Sequence, residues 1–271
     1  MRRLIAISCE GETLIGSLDP AEGTTGLLVV SGGNEVRWGA HRGMAMLAAR
    51  LGTAGVPVLR FDRRGVGDSE GSNRGFRSAG PDIAAAAAAF RAEQPQLRRL
   101  VGYGNCDAAT ALALFGRAAG LDTLVLANPW VVEPTEDLPP RAAIRARYRE
   151  KLADPAAWRR LLTGAVDWPK LVRGLRAAAA PEPAGLAQAV ATALADWNTP
   201  TILLAERDNT ARAFADAWRG PAFAAVRQRA QVIVRPTDSH SFARSGDADW
   251  LADQLQAACL AAPAGHDRTG S

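Results

Sequence analysis

The chain has 271 residues, 48% of them hydrophobic, which is enough to bury one large core and suits a single α/β domain better than two small ones. A formal net charge of +4 is modest, and the basic residues are spread along the chain rather than gathered in a patch, which argues against nucleic-acid binding. The three cysteines, Cys9, Cys106 and Cys259, lie far apart with no CxxC or Cys/His spacing, so neither a disulfide framework nor a structural metal site is expected.

The first two apolar runs, residues 4–8 and 12–18, flank Cys9-Glu10-Gly11 and read as an antiparallel hairpin. The basic start Met1-Arg2-Arg3 leads into only a brief apolar run, unlike a signal peptide, and no apolar stretch reaches the roughly 20 residues that span a bilayer. A soluble cytoplasmic protein is the expectation. A third strand over 26–30 runs into Ser31-Gly32-Gly33-Asn34-Glu35, where the glycines allow close backbone approach; a Gly-Gly pair by itself fits a plain turn equally well. A helix over 41–54 and a strand over 56–61 follow. The next glycines, in Gly65-Val66-Gly67-Asp68, match neither a phosphate-cradling loop nor a dinucleotide site, so no cofactor is expected. A helix over 81–94, built on an alanine run, precedes the fifth strand at 97–101.

That strand opens the most informative segment, Val101-Gly102-Tyr103-Gly104-Asn105-Cys106-Asp107-Ala108-Ala109, where small residues interrupt an apolar run before an alanine-rich helix over 107–119. A nucleophile on a sharp strand-to-helix turn needs small neighbours two positions away, and Gly104 and Ala108 meet that need. The positive end of the helix favours thiolate, the reactive form of Cys106. The competing reading is a buried cysteine packed as a small hydrophobe.

A sixth strand covers 123–127, after which strand patterning vanishes between Glu133 and Asp196. An inserted helical cap explains that length better than a loop. Within it Arg141, Arg145 and Arg149 share a helix face, with Lys151, Arg159 and Arg160 close behind; this is a solvated face or a docking surface for an anionic substrate or acyl carrier. Trp130, Trp158 and Trp168 either line an acyl pocket or hold the cap helices together. Strands over 201–205 and 231–234 alternate with helices over 210–219 and 247–261. The expected layout is a core of residues 1–132 and 197–262, a cap over 133–196 and a disordered polar tail over 263–271.

A thiol nucleophile needs a base, and the base needs an acid to orient it. His240, between the last strand and the last helix, falls at the same sheet edge as Cys106, whereas His41 opens a helix and His266 lies in the tail. Asp208, after the seventh strand, is the favoured acid, although its Asp-Asn-Thr context also suits a helix N-cap. Glu133 is the alternative acid and Glu206 a weaker one. For an oxyanion, the backbone N–H of Asp107 and that of Asn34 or Gly33 are the candidate donors.

The stretch Val58-Leu59-Arg60-Phe61-Asp62-Arg63-Arg64-Gly65-Val66-Gly67-Asp68-Ser69-Glu70-Gly71 resembles the FDxRGxGxS segment of α/β-hydrolases. Together with the elbow, Asp208 and His240, in the order nucleophile, acid, histidine, the resemblance covers residues 1–261. It implies an α/β-hydrolase fold, with an eight-stranded, mostly parallel sheet flanked by helices and carrying a cap. More narrowly, Ser31-Gly32-Gly33, His41-Arg42, the Gly-Asn-Cys-Asp-Ala elbow, Ala127-Asn128-Pro129-Trp130-Val131 and Arg207-Asp208-Asn209-Thr210-Ala211 resemble the exosortase A system-associated hydrolases, bacterial enzymes found with exopolysaccharide and protein-sorting loci. That resemblance implies a cysteine nucleophile at Cys106 and names no substrate. Ala108 departs from the common G-x-nucleophile-x-G form. The expected activity is hydrolysis of a small-molecule ester or thioester, free or carrier-bound, through an acyl-thioenzyme. Acyl transfer to another acceptor and a non-catalytic binding module are the alternatives.

Overall fold

Eight strands hydrogen-bond into one sheet in a computed structural model that describes residues 1–132 and 185–261. They are β1 (Arg3–Cys9), β2 (Glu12–Asp19), β3 (Thr25–Val30), β4 (Val58–Phe61), β5 (Arg99–Asn105), β6 (Thr123–Ala127), β7 (Thr201–Ala205) and β8 (Gln231–Arg235). Their spatial order is β1-β2-β4-β3-β5-β6-β7-β8. The hairpin expected around Cys9-Glu10-Gly11 forms, with Arg3 opposite Leu18 and Cys9 opposite Glu12. β2 is antiparallel to both of its neighbours, and every later pairing is parallel.

Successive side chains on the central strands point to opposite faces of the sheet, and both faces are dry. Leu27, Val29, Val101, Tyr103, Val125 and Ala127 join one hydrophobic cluster with α1 (Gly43–Thr53) and the C-terminal helix over Asp247–Leu260. Leu28, Val30, Leu100, Leu124 and Leu126 join the other, with α2 (Gly80–Glu93) and α3 (Asp107–Phe115). This two-sided burial is why these strands read as continuous apolar runs. No helix among the described residues is long and apolar enough to cross a membrane.

Several boundaries differ from the expectations, and three of the differences have a physical cause in the packing or the backbone. β5 continues past Val101 to Asn105, because Gly102-Tyr103-Gly104 pairs with β3 on one side and β6 on the other. Its glycines are demanded by packing: a Cβ on Gly102 would lie 2.6 Å from Leu121 Cδ1. α1 starts at Gly43 rather than at His41, since His41 (φ 51°) and Arg42 (φ 61°) are in the left-handed region and cannot begin a helix. Finally, the stretch expected as cap ends in α4 (Gly185–Ala195), which packs on α3 and buries Leu186, Val190, Ala191 and Leu194 in the core. Residues 185–195 thus pack against the sheet's helical layer. The rest of the expected cap, with Glu133, the arginine face, Trp158 and Trp168, and the tail with His266 lie outside the described residues.

Candidate active site

β5 ends at Asn105, and Cys106 turns the chain into α3 with φ 59° and ψ −124°, a conformation costly for any residue but glycine. Hydrogen bonds hold it there. The Cys106 N–H donates to Ala127 O (2.9 Å), and its carbonyl accepts from the N–H groups of Trp130 (3.2 Å) and Thr110 (3.3 Å). A Cβ on Gly104 would sit 2.8 Å from the Ala108 carbonyl carbon, so glycine is required there. Ala108 itself is fully buried, and the position of a Cβ on Gly32 is 3.8 Å from its methyl group. The elbow therefore accommodates alanine where the common pattern has glycine. The thiol is half-buried at the N-cap of α3.

β7 leads to Asp208, which caps α5 (Asn209–Trp218): its Oδ2 accepts the Ala211 N–H at 2.9 Å. Its Oδ1 faces His240 Nδ1 at 3.0 Å. Asp208 thus caps α5 with one oxygen and contacts His240 with the other. The imidazole also interacts with the Cys106 side chain. The bond to Asp208, then that to Cys106, push the His240 pKa up to about 10 against the opposing effect of burial. Burial works to raise the Asp208 pKa, but hydrogen bonds from His240 and from the Ala211 and Thr210 amides hold it below the ordinary carboxylate value.

The histidine is also fixed through its backbone. Asn105 Nδ2 (3.1 Å) and Asn128 Nδ2 (2.9 Å) both donate to the His240 carbonyl, Asn128 Nδ2 also donates to Asn105 Oδ1 (3.0 Å), and Asn128 Oδ1 accepts the Ala205 N–H (2.8 Å). The fully buried Asn128 so ties together the ends of β5, β6 and β7 and the histidine loop. Further along that loop Thr237 Oγ1 donates to Asp247 Oδ2 (2.6 Å) and accepts the Ser239 N–H (3.1 Å). Glu206 is exposed beside Asp208, its backbone N–H on Arg235 O, and His41 is exposed at the start of α1.

The loop after β3 meets the elbow closely enough that a Cβ on Gly32 would lie 2.8 Å from both Asn105 O and Asp107 Oδ1. The Gly33 N–H donates to Asp107 Oδ1 (2.7 Å), so this candidate oxyanion donor already has a partner. Asn34 Oδ1 accepts from Asn73 Nδ2 (2.8 Å). Asp107, as the first residue of α3, presents an N–H without an intrahelical acceptor. Buried Arg63 spans the two segments, donating from Nη2 to Gly33 O (2.8 Å) and Asp107 Oδ2 (3.4 Å). The rest of the FDxRGxGxS segment is scaffold. Buried Asp62 accepts the Arg37 N–H (2.6 Å) and pairs with its guanidinium, Ser69 Oγ donates to Asp62 O (2.7 Å), and Arg64 Nε donates to Asp82 Oδ1 (2.6 Å). Sequence reasoning missed Arg63, Asn105, Asn128 and the Asp107 carboxylate; the one available signal was polar residues placed next to the nucleophile or directly after an apolar strand.

A model of the alpha/beta hydrolase family matches residues 27–254. The chain belongs to that family. Among solved structures, the esterase Pf2001 of Pyrococcus furiosus is similar to this alpha/beta hydrolase with a TM-score of 0.63 at 14% identity, covering 94% of this chain and 90% of the esterase. XC6422 from Xanthomonas campestris, described as an a/b serine hydrolase without lid, gives 0.60 at 16% identity and 97% of both chains. The thioesterase domain from the curacin biosynthetic pathway gives 0.55 at 13% identity, over 96% of this chain and all (100%) of the domain. A search of curated proteins found no match. At these identities the likeness speaks for the fold. Between α1 and the C-terminal helix the hydrolase holds a cavity of about 300 Å³, lined by Ser31, Met44, Tyr103, Asn105, Ser241 and Phe242 among others, that reaches Asn105 but not Cys106 or His240. Ser31 Oγ is buried there without a hydrogen-bond partner among the described residues.

Proposed function

We propose that this alpha/beta hydrolase cleaves a small-molecule ester or thioester, with Cys106 as nucleophile, His240 as base and acid, and Asp208 as its orienting carboxylate. The observation that carries this reading is His240 Nδ1 set 3.0 Å from Asp208 Oδ1, with the imidazole also interacting with the side chain of the strained Cys106. His240 takes the Cys106 thiol proton, which gives the thiolate nucleophile beside an imidazolium held by Asp208.

The thiolate sulfur attacks the acyl carbon, and the carbonyl electron pair moves to oxygen, where the Asp107 and Asn34 amides are the proposed donors. Collapse of that oxyanion breaks the bond to the alcohol or thiol, which leaves with the proton of His240. An acyl-thioenzyme remains. Neutral His240 then takes a proton from water as the water attacks, and the acid departs with the thiolate and imidazolium restored. Residues 133–184 are proposed as the cap, and the placement with exopolysaccharide and exosortase systems is proposed on the Ser31-Gly32-Gly33, elbow and Arg207-Asp208-Asn209 resemblance. Three unpaired cysteines suit a reducing compartment, and we place the enzyme in the cytoplasm.

The test is turnover of p-nitrophenyl esters and acyl thioesters. Cys106→Ala is expected to lower kcat by at least about a thousandfold, and acid-quenched wild type to carry the acyl mass on Cys106. Full turnover by Cys106→Ala on every substrate of the wild type would overturn the scheme. Mild iodoacetamide supplies an independent readout. Burial pushes the Cys9 thiol up to about 11 and the Cys259 thiol up to about 12, so Cys106 is expected to be alkylated first, and equal slow labelling of all three would favour a non-catalytic role.

A further inference from the structure

A second, separate concavity of about 540 Å³ lies on the α1 side of β1, β2 and β4. Arg2, Arg3, Arg42 and Arg60 line it together with Ser17 and Trp38, and no acidic side chain is among the lining residues. The counter-charges lie behind the wall and are shared. Asp19 serves both Arg2 (2.8 Å) and Arg60 (3.2 Å), while Glu93 pairs with Arg3 (2.5 Å). The Arg42 guanidinium has no acidic partner among the described residues.

Arg60 is the informative member. It is 1% exposed, donates from Nη1 to Arg37 O (2.6 Å) and from Nη2 to Asp19, and keeps a buried Nε with no partner. Burial, followed by the charges of Arg2 and Arg37, lowers its pKa in opposition to the help from Asp19. A buried cation with an unused donor beside like charges is costly, and an incoming anion relieves that cost. Trp38 is 41% exposed and has the Arg37 guanidinium 4.0 Å from its ring centroid, which fixes a flat apolar surface at the edge of the groove. His41 and Arg42 are consecutive left-handed residues, so the backbone holds Arg42 at the rim in a strained conformation that its own side chain does not explain.

We propose that this groove binds a phosphate-bearing ligand with a planar ring, a nucleoside diphosphate group, its phosphates against Arg42, with the positive charges of Arg2 and the buried Arg60 behind them, and its ring on Trp38. Guanidinium forks match phosphate oxygens in pairs, and an exposed indole stacks on any base. The volume falls within the roughly 300–1,000 Å³ of small-molecule sites and exceeds what a lone phosphate needs.

Isothermal titration calorimetry on the full chain tests this with ADP, inorganic pyrophosphate and adenosine as probes. ADP is expected to bind saturably with a Kd below ~1 mM, more tightly than either fragment and more weakly as salt rises. Trp38→Ala and Arg42→Ala are each expected to weaken ADP about tenfold. Arg42→Gly, which suits the left-handed backbone, should match Arg42→Ala, and unchanged melting by circular dichroism confirms that the variants are folded. Cys106→Ala and Arg98→Ala should bind as the wild type does. The proposal is overturned by absence of saturable ADP binding, by folded Trp38 and Arg42 variants that bind normally, or by loss of binding in Cys106→Ala, which would put the nucleotide in the catalytic site. Pyrophosphate binding as tight as ADP would remove the ring from the assignment.

Discussion

Asp208 performs two tasks with two oxygens, and the tasks separate under substitution. Its Oδ2 caps α5 through the Ala211 N–H, and its Oδ1 holds His240 Nδ1. Asn is as good an N-cap as Asp but carries no charge. Asp208→Asn is therefore expected to keep the cap and to lose, in unfolding by urea, only the stability that the Asp208 charge supplies through His240, while lowering kcat by about 10²- to 10⁴-fold. Asp208→Ala should lose the same activity and about 1 kcal/mol of stability besides. Equal stability of the two variants would argue against the capping role, and retained kcat in Asp208→Asn against the catalytic one. Cap and acid are both legible in the Asp-Asn-Thr run, because each depends on sequence neighbours or on a strand end. Arg63 is not legible. It reads as the variable position of FDxRGxGxS, and only the folded chain brings it to Gly33 O and Asp107.

At the scale of elements, the elbow is a contact between a strand end and a helix start, and its two small residues are not equivalent. A Cβ on Gly104 would meet backbone atoms of Ala108 at 2.8 and 3.0 Å, and backbone does not yield as a side-chain tip does. Gly104→Ala is expected to destabilise the fold by about 1–3 kcal/mol and to lower kcat/KM more than tenfold. Ala108→Gly should cost no more than about 1 kcal/mol, the helix propensity difference, with kcat/KM within a few-fold of wild type. Thermal melts and steady-state kinetics on both variants check the asymmetry, and equal effects would refute it. The central strands are legible because burial on both sheet faces leaves long apolar runs, and β1 because only alternate residues are buried. The last part of β5 is hidden, since Gly102 and Gly104 satisfy close packing yet read as a turn. α4 is hidden for another reason: its apolar, alanine-rich stretch sits in a region without strands, and its partner α3 is distant in sequence. The Asn128 clamp escapes for the same cause, being an assembly of three strand ends and a loop.

For the whole molecule, the shifted pKa values set how stability follows pH. The His240 pKa is raised in the folded state, so its contribution is fully present below its ordinary value of 6.5 and is lost as pH rises through about 10. The depressed carboxyls of Asp208 and Asp247 act in the opposite sense, stabilising above their ordinary value of 3.8 and failing as acid protonates them. The stability difference between wild type and His240→Ala, read from urea midpoints, is therefore expected to shrink between about pH 6.5 and about pH 10. A difference that stays constant over that range would show that the histidine gains nothing from its partners. The three cysteines are also distributed at this scale. Cys9 is buried in the core on one side of the sheet and Cys259 in the core on the other, while Cys106 stands half-buried at its edge. On the proposed chemistry, peroxide that converts the Cys106 thiolate to a sulfenic acid meets no accessible second thiol of the same chain to capture it as a disulfide. Oxidation should then run on to the sulfinic acid, and activity lost to peroxide should become unrecoverable by dithiothreitol with time, in step with a gain of two oxygen atoms on the Cys106 peptide.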